Sequence, residues 1–228
     1  MTGPVVVAID GPAGSGKSTV SRAVAHRLGL GFLDTGAMYR ALTWWLLNNG
    51  VDVDDADAVA NACDKPAVLA GIDADGPTIT VDGVDVSGPI RTAEVTAKVS
   101  AVAAVPEVRA RLVEIQRASA AAAPQGIVAE GRDMGTVVFP RATAKVFLTA
   151  SPAARAARRA AELRAKGVDE ETVRRMAGDL VRRDAADSGR AASPLAKAAD
   201  AVEVDTSDLS LDEVVDRVVG LVRERVSA

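Results

Sequence analysis

Histidine, cysteine and aromatic residues are all scarce in this 228-residue chain, with one His, one Cys and 3% Phe, Trp and Tyr together. The single cysteine, Cys63, excludes an intrachain disulfide and a thiolate metal centre. With so few rings, Val, Leu, Ile and Ala must fill the core, a choice that suits helices packed on a parallel sheet of β-branched strands. No stretch approaches the ~18 consecutive apolar residues of a membrane span. Met1–Pro4 is short, and the apolar run after it, Val5–Ile9, ends at an Asp-Gly-Pro turn, so no signal-peptide pattern opens the chain. Positive charge is not in excess either: the net charge of −4 lacks the broad basic surface of a nucleic-acid binder. These absences lead us to expect a reduced, cytoplasmic protein with neither a membrane nor a nucleic-acid partner.

What is present is an ordinary globular composition, 48% hydrophobic and 25% charged, enough for one compact domain or one domain with an inserted lobe. Val5–Ile9 is a continuous apolar run, the pattern of a strand buried on both faces. Helical patterning follows over Lys17–Leu28, ended by Gly29, then a short strand at Phe32-Leu33 and helices over Ala37–Leu47 and Asp54–Cys63. Between Pro66 and Pro89 the character changes. Gly, Asp and Pro become frequent, and Thr78–Val81 and Val84–Val86 flank an Asp82-Gly83 turn, which predicts an antiparallel hairpin. Helices are expected at Thr92–Ala104, Pro106–Ala122, Pro152–Lys166, Asp169–Asp187 and Leu211–Val226, and strands at Ile127–Ala129, Lys145–Leu148 and Val202–Val204. Strands alternating with helices predict a parallel sheet covered on both faces.

One segment carries chemistry on its own. Gly11-Pro12-Ala13-Gly14-Ser15-Gly16-Lys17-Ser18 fits G-x-x-x-x-G-K-[ST] and lies between a predicted buried strand and a predicted helix. Glycines let successive N–H groups turn inward, and the helix offers its positive end to an anion. Lys17 reaches the β/γ-phosphates of a nucleotide, and the Ser18 hydroxyl serves a Mg²⁺ shell, partly through water. The loop alone does not distinguish a kinase from a switch GTPase or a motor ATPase. No N-K-x-D base-reading motif is present, and two acidic residues at strand ends, Glu130 and Asp205, fit a Walker-B position equally.

Arginines in glycine-flanked turns supply the second half. Arg40 follows Asp34-Thr35-Gly36-Ala37-Met38-Tyr39, Arg91 follows Gly88-Pro89-Ile90, and Arg132 lies in Glu130-Gly131-Arg132-Asp133-Met134-Gly135-Thr136. Nine further arginines fall between Arg155 and Arg190. A guanidinium offers a planar fork to a phosphate, and turns carry function more often than packing does. Such a set suggests a second, phosphorylated substrate. A regulatory module that only binds nucleotide would leave these arginines unexplained.

These segments, with Asp85–Arg91 and Arg183-Asp184-Ala185-Ala186-Asp187-Ser188-Gly189-Arg190, resemble the signature segments of bacterial cytidylate kinases, in order from the first strand to the last helix. The resemblance implies an α/β, three-layer P-loop kinase fold with a parallel central sheet, a helical lid and a small inserted β-rich lobe that binds the nucleoside monophosphate. Its core would be about 1–36, 105–153 and 192–228, the lobe about 37–104 and the lid about 154–191. The implied reaction moves the γ-phosphoryl of ATP to CMP or dCMP with Mg²⁺, in a monomer.

The resemblance also assigns roles. ATP would be held by Gly11 to Ser18, Thr19 and Arg158, with Arg155 and Arg159 in the lid. CMP would be held by Thr35, Tyr39, Arg40, Arg91, Ser100, Arg109, Arg132, Asp133, Arg183, Asp187 and Arg190. Among these, Asp133 and Ser100 take the cytosine amino group, Arg109 donates to the ring (Arg111 on the same helix being the alternative), and Asp187 meets the ribose hydroxyls with Arg183 beside it. Lys17, Arg132 and Arg190 would carry catalysis. Fewer charged residues than usual lie between Asp184 and Asp187, with Ala185 and Ala186 facing solvent. The lone His26, on the helix behind the loop, is expected to be structural, so no general base is in view.

Overall fold

The computed structural model describes residues 4–165, 167–190 and 193–227, with the side chains of 175–181 and 183 outside the description. Five strands form the central sheet: β1 (Val6–Asp10), β2 (Gly31–Asp34), β6 (Ile127–Gly131), β7 (Ala144–Thr149) and β8 (Val202–Asp205), in the order β2-β6-β1-β7-β8. All pairs are parallel, with Ala8 opposite Ala129 on one side and Lys145 on the other. Three short strands, β3 (Val68–Ala70), β4 (Ile79–Val81) and β5 (Val84–Asp85), form a separate antiparallel sheet.

Alternation along β1 divides the core. Val7 and Ile9 face α1 (Lys17–Leu28) and α8 (Leu211–Ser227), packing with Val20, Val24, Val215 and Val218. Ala8 faces the other way, toward α2 (Thr35–Asn48) and α5 (Pro106–Ala121), with Leu42 and Leu112. Each fully buried Val, Leu or Ile contributes roughly 1.5–3 kcal/mol. The antiparallel sheet has no core of its own: Val68, Ile79 and Val81 join the same cluster through α2. The remaining helices are α3 (Ala56–Ala62), α4 (Ala93–Val102), α6 (Pro152–Ala165) and α7 (Glu170–Ser188), with a 3₁₀ turn at Pro89–Arg91 and a π-helical turn at Met134–Val138.

Three differences from the sequence-based expectations matter. The hairpin gains a third strand, β3, at Val68–Ala70. α2 begins at Thr35, two residues early, because the Asp34 side chain accepts the Ala37 N–H at 2.9 Å and caps it. Arg40 lies inside α2, as it does in the helix expected over Ala37–Leu47, and not in the glycine-flanked turn before it. The π-helical turn after β6 was not anticipated. Its first N–H groups, of Met134 and Gly135, donate to the two oxygens of Asp10 at 2.8 Å each.

Candidate active site

β1 sits at the centre of the sheet, and the chain leaves it toward β2 while the later strands β7 and β8 lie on its other side, so the carboxyl ends of β1, β2 and β6 converge at the place where open parallel sheets bind ligands. A cleft of about 590 Å³ opens there.

One wall is the phosphate loop. Gly11 leaves β1 with φ +150°, and a Cβ there would lie 2.0 Å from the Leu148 carbonyl oxygen, so no larger residue fits. Ala13, Gly14, Gly16, Lys17, Ser18 and Thr19 line the cleft. Gly11, Pro12 and Ser15 form the back of the loop instead, with the buried Ser15 hydroxyl donating to the Pro12 carbonyl at 3.0 Å. Lys17 Nζ donates to the same carbonyl at 2.7 Å. Burial pushes the Lys17 ammonium down to about 7, and the nearby Arg132 cation adds to this, against the pull of Glu130 and Asp10. An incoming polyanion reverses that balance. The N-terminus of α1 adds its own positive end.

The opposite wall carries the arginines. Arg132 follows β6, where Gly131 must be small: a Cβ would meet the Met134 side chain at 2.7 Å and Thr35 Oγ1 at 2.9 Å. The Thr35 hydroxyl donates to the Glu130 carbonyl at 2.6 Å, tying the start of α2 to β6. Arg132 Nε donates to one oxygen of Asp187 at 3.0 Å, and Arg190 Nη2 pairs with the other at 2.9 Å. Arg40 is anchored by the Ile90 carbonyl at 3.2 Å and the Thr96 hydroxyl at 2.9 Å. Arg91 is the most open of the group, 63% exposed and 3.8 Å from Asp34.

The floor is a buried polar cluster. Arg109 donates through Nη2 to Asp133 and through Nη1 to the Ala103 carbonyl at 3.1 Å, and its guanidinium stands 5.3 Å over the Tyr39 ring. Burial pushes the Tyr39 phenol up to about 12, with Arg109 opposing. Ser100 also lines the cleft. Arg111 points elsewhere, donating to the Pro66 carbonyl at 3.2 Å and facing Asp64 at 3.4 Å.

The cleft thus brings together Lys17, Ser18, Thr19, Thr35, Tyr39, Arg40, Arg91, Ser100, Arg109, Arg132, Asp133, Arg158, Asp187 and Arg190. The Arg183 side chain lies outside the described residues. Of the two strand-end acids, Glu130 is buried in the cleft, with burial and then the Asp34 charge pushing its carboxyl up to about 7. Asp205 instead accepts the Ser207 N–H at 2.8 Å and hydroxyl at 2.6 Å, exposed at the end of β8. His26 is not packed; it is an exposed side chain 3.7 Å from Asp75. Arg158 reaches the cleft from α6 while donating to the Thr206 hydroxyl at 2.8 Å.

Sequence reasoning missed two carboxylates that organise these walls. Asp10 supports the turn after Asp133. Asp184 accepts the Ala13 N–H at 2.9 Å and pairs with Arg155, which also donates to the Ala13 carbonyl at 3.1 Å. The only signal for Asp10 is its place directly before Gly11; for Asp184 it is the spacing of three from Asp187.

Known proteins are similar to this chain over nearly its whole length. The family model for cytidylate kinase matches residues 7–224. A cytidylate kinase of Streptomyces coelicolor is 64% identical over 221 residues, covering 97% of this chain and 94% of that one. One from Streptomyces avermitilis is 60% identical over 224 residues, covering 98% and 95%. One from Nocardia farcinica is 51% identical over 224 residues, covering 98% and 96%.

Proposed function

Because this chain belongs to the cytidylate kinase family, whose reaction is phosphoryl transfer from ATP to CMP, we propose that the cleft holds ATP on the phosphate-loop wall and CMP or dCMP on the arginine wall, and passes the γ-phosphoryl group directly between them. The observation that carries this reading is the buried Arg109–Asp133 pair on the floor, within the same cleft as Lys17. A carboxylate accepts the cytosine amino group and a guanidinium donates to the ring acceptors beside it. Ser100 is the second acceptor. Uracil carries a carbonyl where cytosine has its amino group, and would set an oxygen against Asp133.

The acceptor oxygen belongs to a phosphate and is already ionised, so no residue need remove a proton. Catalysis is then positioning and charge neutralisation. Lys17 holds the donor phosphates, Arg40, Arg132 and Arg190 hold the acceptor phosphate, and Arg91, more exposed, adds positive charge. Asp187 keeps Arg132 and Arg190 side by side and is the group for the ribose hydroxyls, with Arg183 as the further contact. Arg158, with Thr19, completes the ATP side.

The oxygens available suit Mg²⁺, a hard cation. Ser18 is an exposed residue at the start of α1 whose side chain hydrogen-bonds Glu130, Asp34 lines the cleft, and Glu130 Oε2 is buried without a hydrogen-bond partner. Among the described residues no group of three His, Cys, Asp or Glu is arranged to hold a metal alone, which fits an ion that arrives with the nucleotide. When bound, Mg²⁺ supplies neutralisation of the phosphate charge. Ser18, partly through water, would hold the ion in this reading, with Asp34 and Glu130 as the nearby carboxylates.

We assign residues about 37–104 to the monophosphate-binding lobe and about 154–191 to a lid, with the rest as core, in a cytoplasmic monomer. Among the described residues no helix is long and apolar enough to cross a membrane. The deciding experiment measures ADP release with CMP, dCMP, UMP and AMP supplied in turn. Turnover with CMP and dCMP exceeding that with UMP and AMP by at least about tenfold supports the reading, and equal rates on all four refute the assignment of Asp133.

A further inference from the structure

The two halves of the cleft are joined by one helix. Asp184 and Asp187 lie three residues apart on α7, so they share a face. Ala185 and Ala186 between them are exposed. Asp184 fastens the phosphate loop: its carboxylate takes the Ala13 N–H at 2.9 Å, and the Arg155 guanidinium bridges that carboxylate to the Ala13 carbonyl at 3.1 Å. Both backbone polar groups of one loop residue are therefore held by side chains of α6 and α7. Asp187 fastens the other half through Arg132 at 3.0 Å and Arg190 at 2.9 Å. Both carboxylates are largely removed from solvent, their side chains 15% and 8% exposed, so neither contact is a loose surface pair.

We propose that Asp184 is a positioning residue that, with Arg155, couples the donor loop to the acceptor arginines, so that binding of either substrate tightens the other. Asp184 has no place among the groups that touch ATP or CMP in the reading above. Its effect travels through the helix: a ligand that draws Arg132 and Arg190 into one arrangement sets Asp187, hence the tilt of α7, hence the seat of Ala13 in the loop. The coupling must be reciprocal, since each substrate changes the other's affinity by the same factor. Such a device favours the state in which both substrates are held, and so limits loss of the phosphoryl group to water.

The inference rests on the proposed placement of CMP at Arg132 and Arg190, and calorimetry separates the two. CMP and an ATP analogue with a β,γ-imido bridge are titrated singly and then each in the presence of the other. For the unaltered chain we expect each ligand to tighten the other by about fivefold or more. In Asp184→Asn, which keeps an acceptor for Ala13 but loses the charge that holds Arg155, the factor falls below about twofold while CMP alone binds within about threefold of the original. Arg155→Lys, which keeps the charge but not the planar fork, is the second variant and gives the same loss. A folded variant of either kind that retains the full coupling factor overturns the proposal. So does one that loses CMP binding in the absence of the analogue, which would make Asp184 part of the acceptor site. An unaltered chain that binds both ligands with no mutual effect sinks the coupling alone, whereas one that does not bind CMP at all sinks the reading of the cleft on which it rests.

Discussion

Arg109 and Asp133 are paired in the floor of the cleft with side chains 6% and 4% exposed, on a helix and at the start of the turn after β6, which meet only through the fold. Neither charge is matched by solvent, so each depends on the other. Tyr39 covers the guanidinium from one side and the Ala103 carbonyl takes a second donor, which leaves the pair fixed in direction.

Removing one partner therefore has two separable effects. Asp133→Ala leaves a buried cation uncompensated, and urea denaturation should show a loss of about 3–5 kcal/mol. Asp133→Asn keeps the shape but not the charged acceptor. Its KM for CMP should rise at least about tenfold, the worth of one charge-assisted hydrogen bond, while KM for ATP stays within about twofold. Arg111→Ala, on the same helix but turned to Pro66 and Asp64, should change neither by more than about twofold. Equal changes in both KM values for Asp133→Asn would show that it does not read the base.

Lys17 is tested by Lys17→Ala. Its ammonium is buried and lies among Arg132, Glu130 and Asp10, so its charge acts in a low-dielectric setting. Loss of such a donor typically costs about 10²–10³ in kcat or more. The variant should fold normally, because a buried charge whose burial disfavours it does not hold the core together. Near-normal turnover would remove the phosphate loop from the mechanism.

Much of this arrangement was legible in the chain, and the parts that were not share a cause. Apolar runs such as Val5–Ile9 and the Asp82-Gly83 turn are local signals, and they placed the strands and the hairpin to within a residue or two. The third strand of the small sheet escaped because Val68–Ala70 has three residues and its Leu69 is 61% exposed, leaving no alternation to detect. The start of α2 was misplaced because Asp34 reads equally as a turn residue and as a cap. The loop and arginine motifs located the cleft, since the chemistry requires those residue types together. Asp10 was given no role, and neither was Asp184 beyond its place in a signature segment, because their partners Met134 and Ala13 lie 124 and 171 residues away in sequence and no local pattern announces either contact. His26 lies on the expected helix, but on its exposed side, so the structural role expected of it is not met by any packing.

Arg132 meets Asp187 through Nε, which leaves its terminal nitrogens for a ligand, although Nη1 also donates to the Gly131 carbonyl at 3.2 Å. Arg132→Ala should weaken CMP binding by ~2–4 kcal/mol, because a doubly charged phosphate loses a bidentate partner in a partly desolvated cleft. Arg132→Lys should recover only part of that, since an ammonium cannot serve Asp187 and the phosphate in one plane. Isothermal titration with CMP reads both, and full recovery with lysine would show that charge alone matters at this position.

Asp10 gives the chain a predictable acid response. Burial pushes its carboxyl up to about 6 from an ordinary 3.8, even though Gly135 and Met134 both donate to it. With the folded value above the unfolded one, the folded state holds the proton between about pH 4 and 6 while the unfolded state has released it. Stability from this group is therefore present below pH 4 and lost as pH rises through 6, by on the order of 3 kcal/mol. Asp10→Asn does not titrate, and its NH₂ would face one of the two N–H groups that now donate to separate oxygens. It should be less stable than the original at pH 4, and the gap should narrow as pH is raised to 7. Urea midpoints at pH 4, 5, 6 and 7 for the two chains measure that gap, and one that widens toward neutrality would mean that the two backbone donors, not burial, set the charge on Asp10.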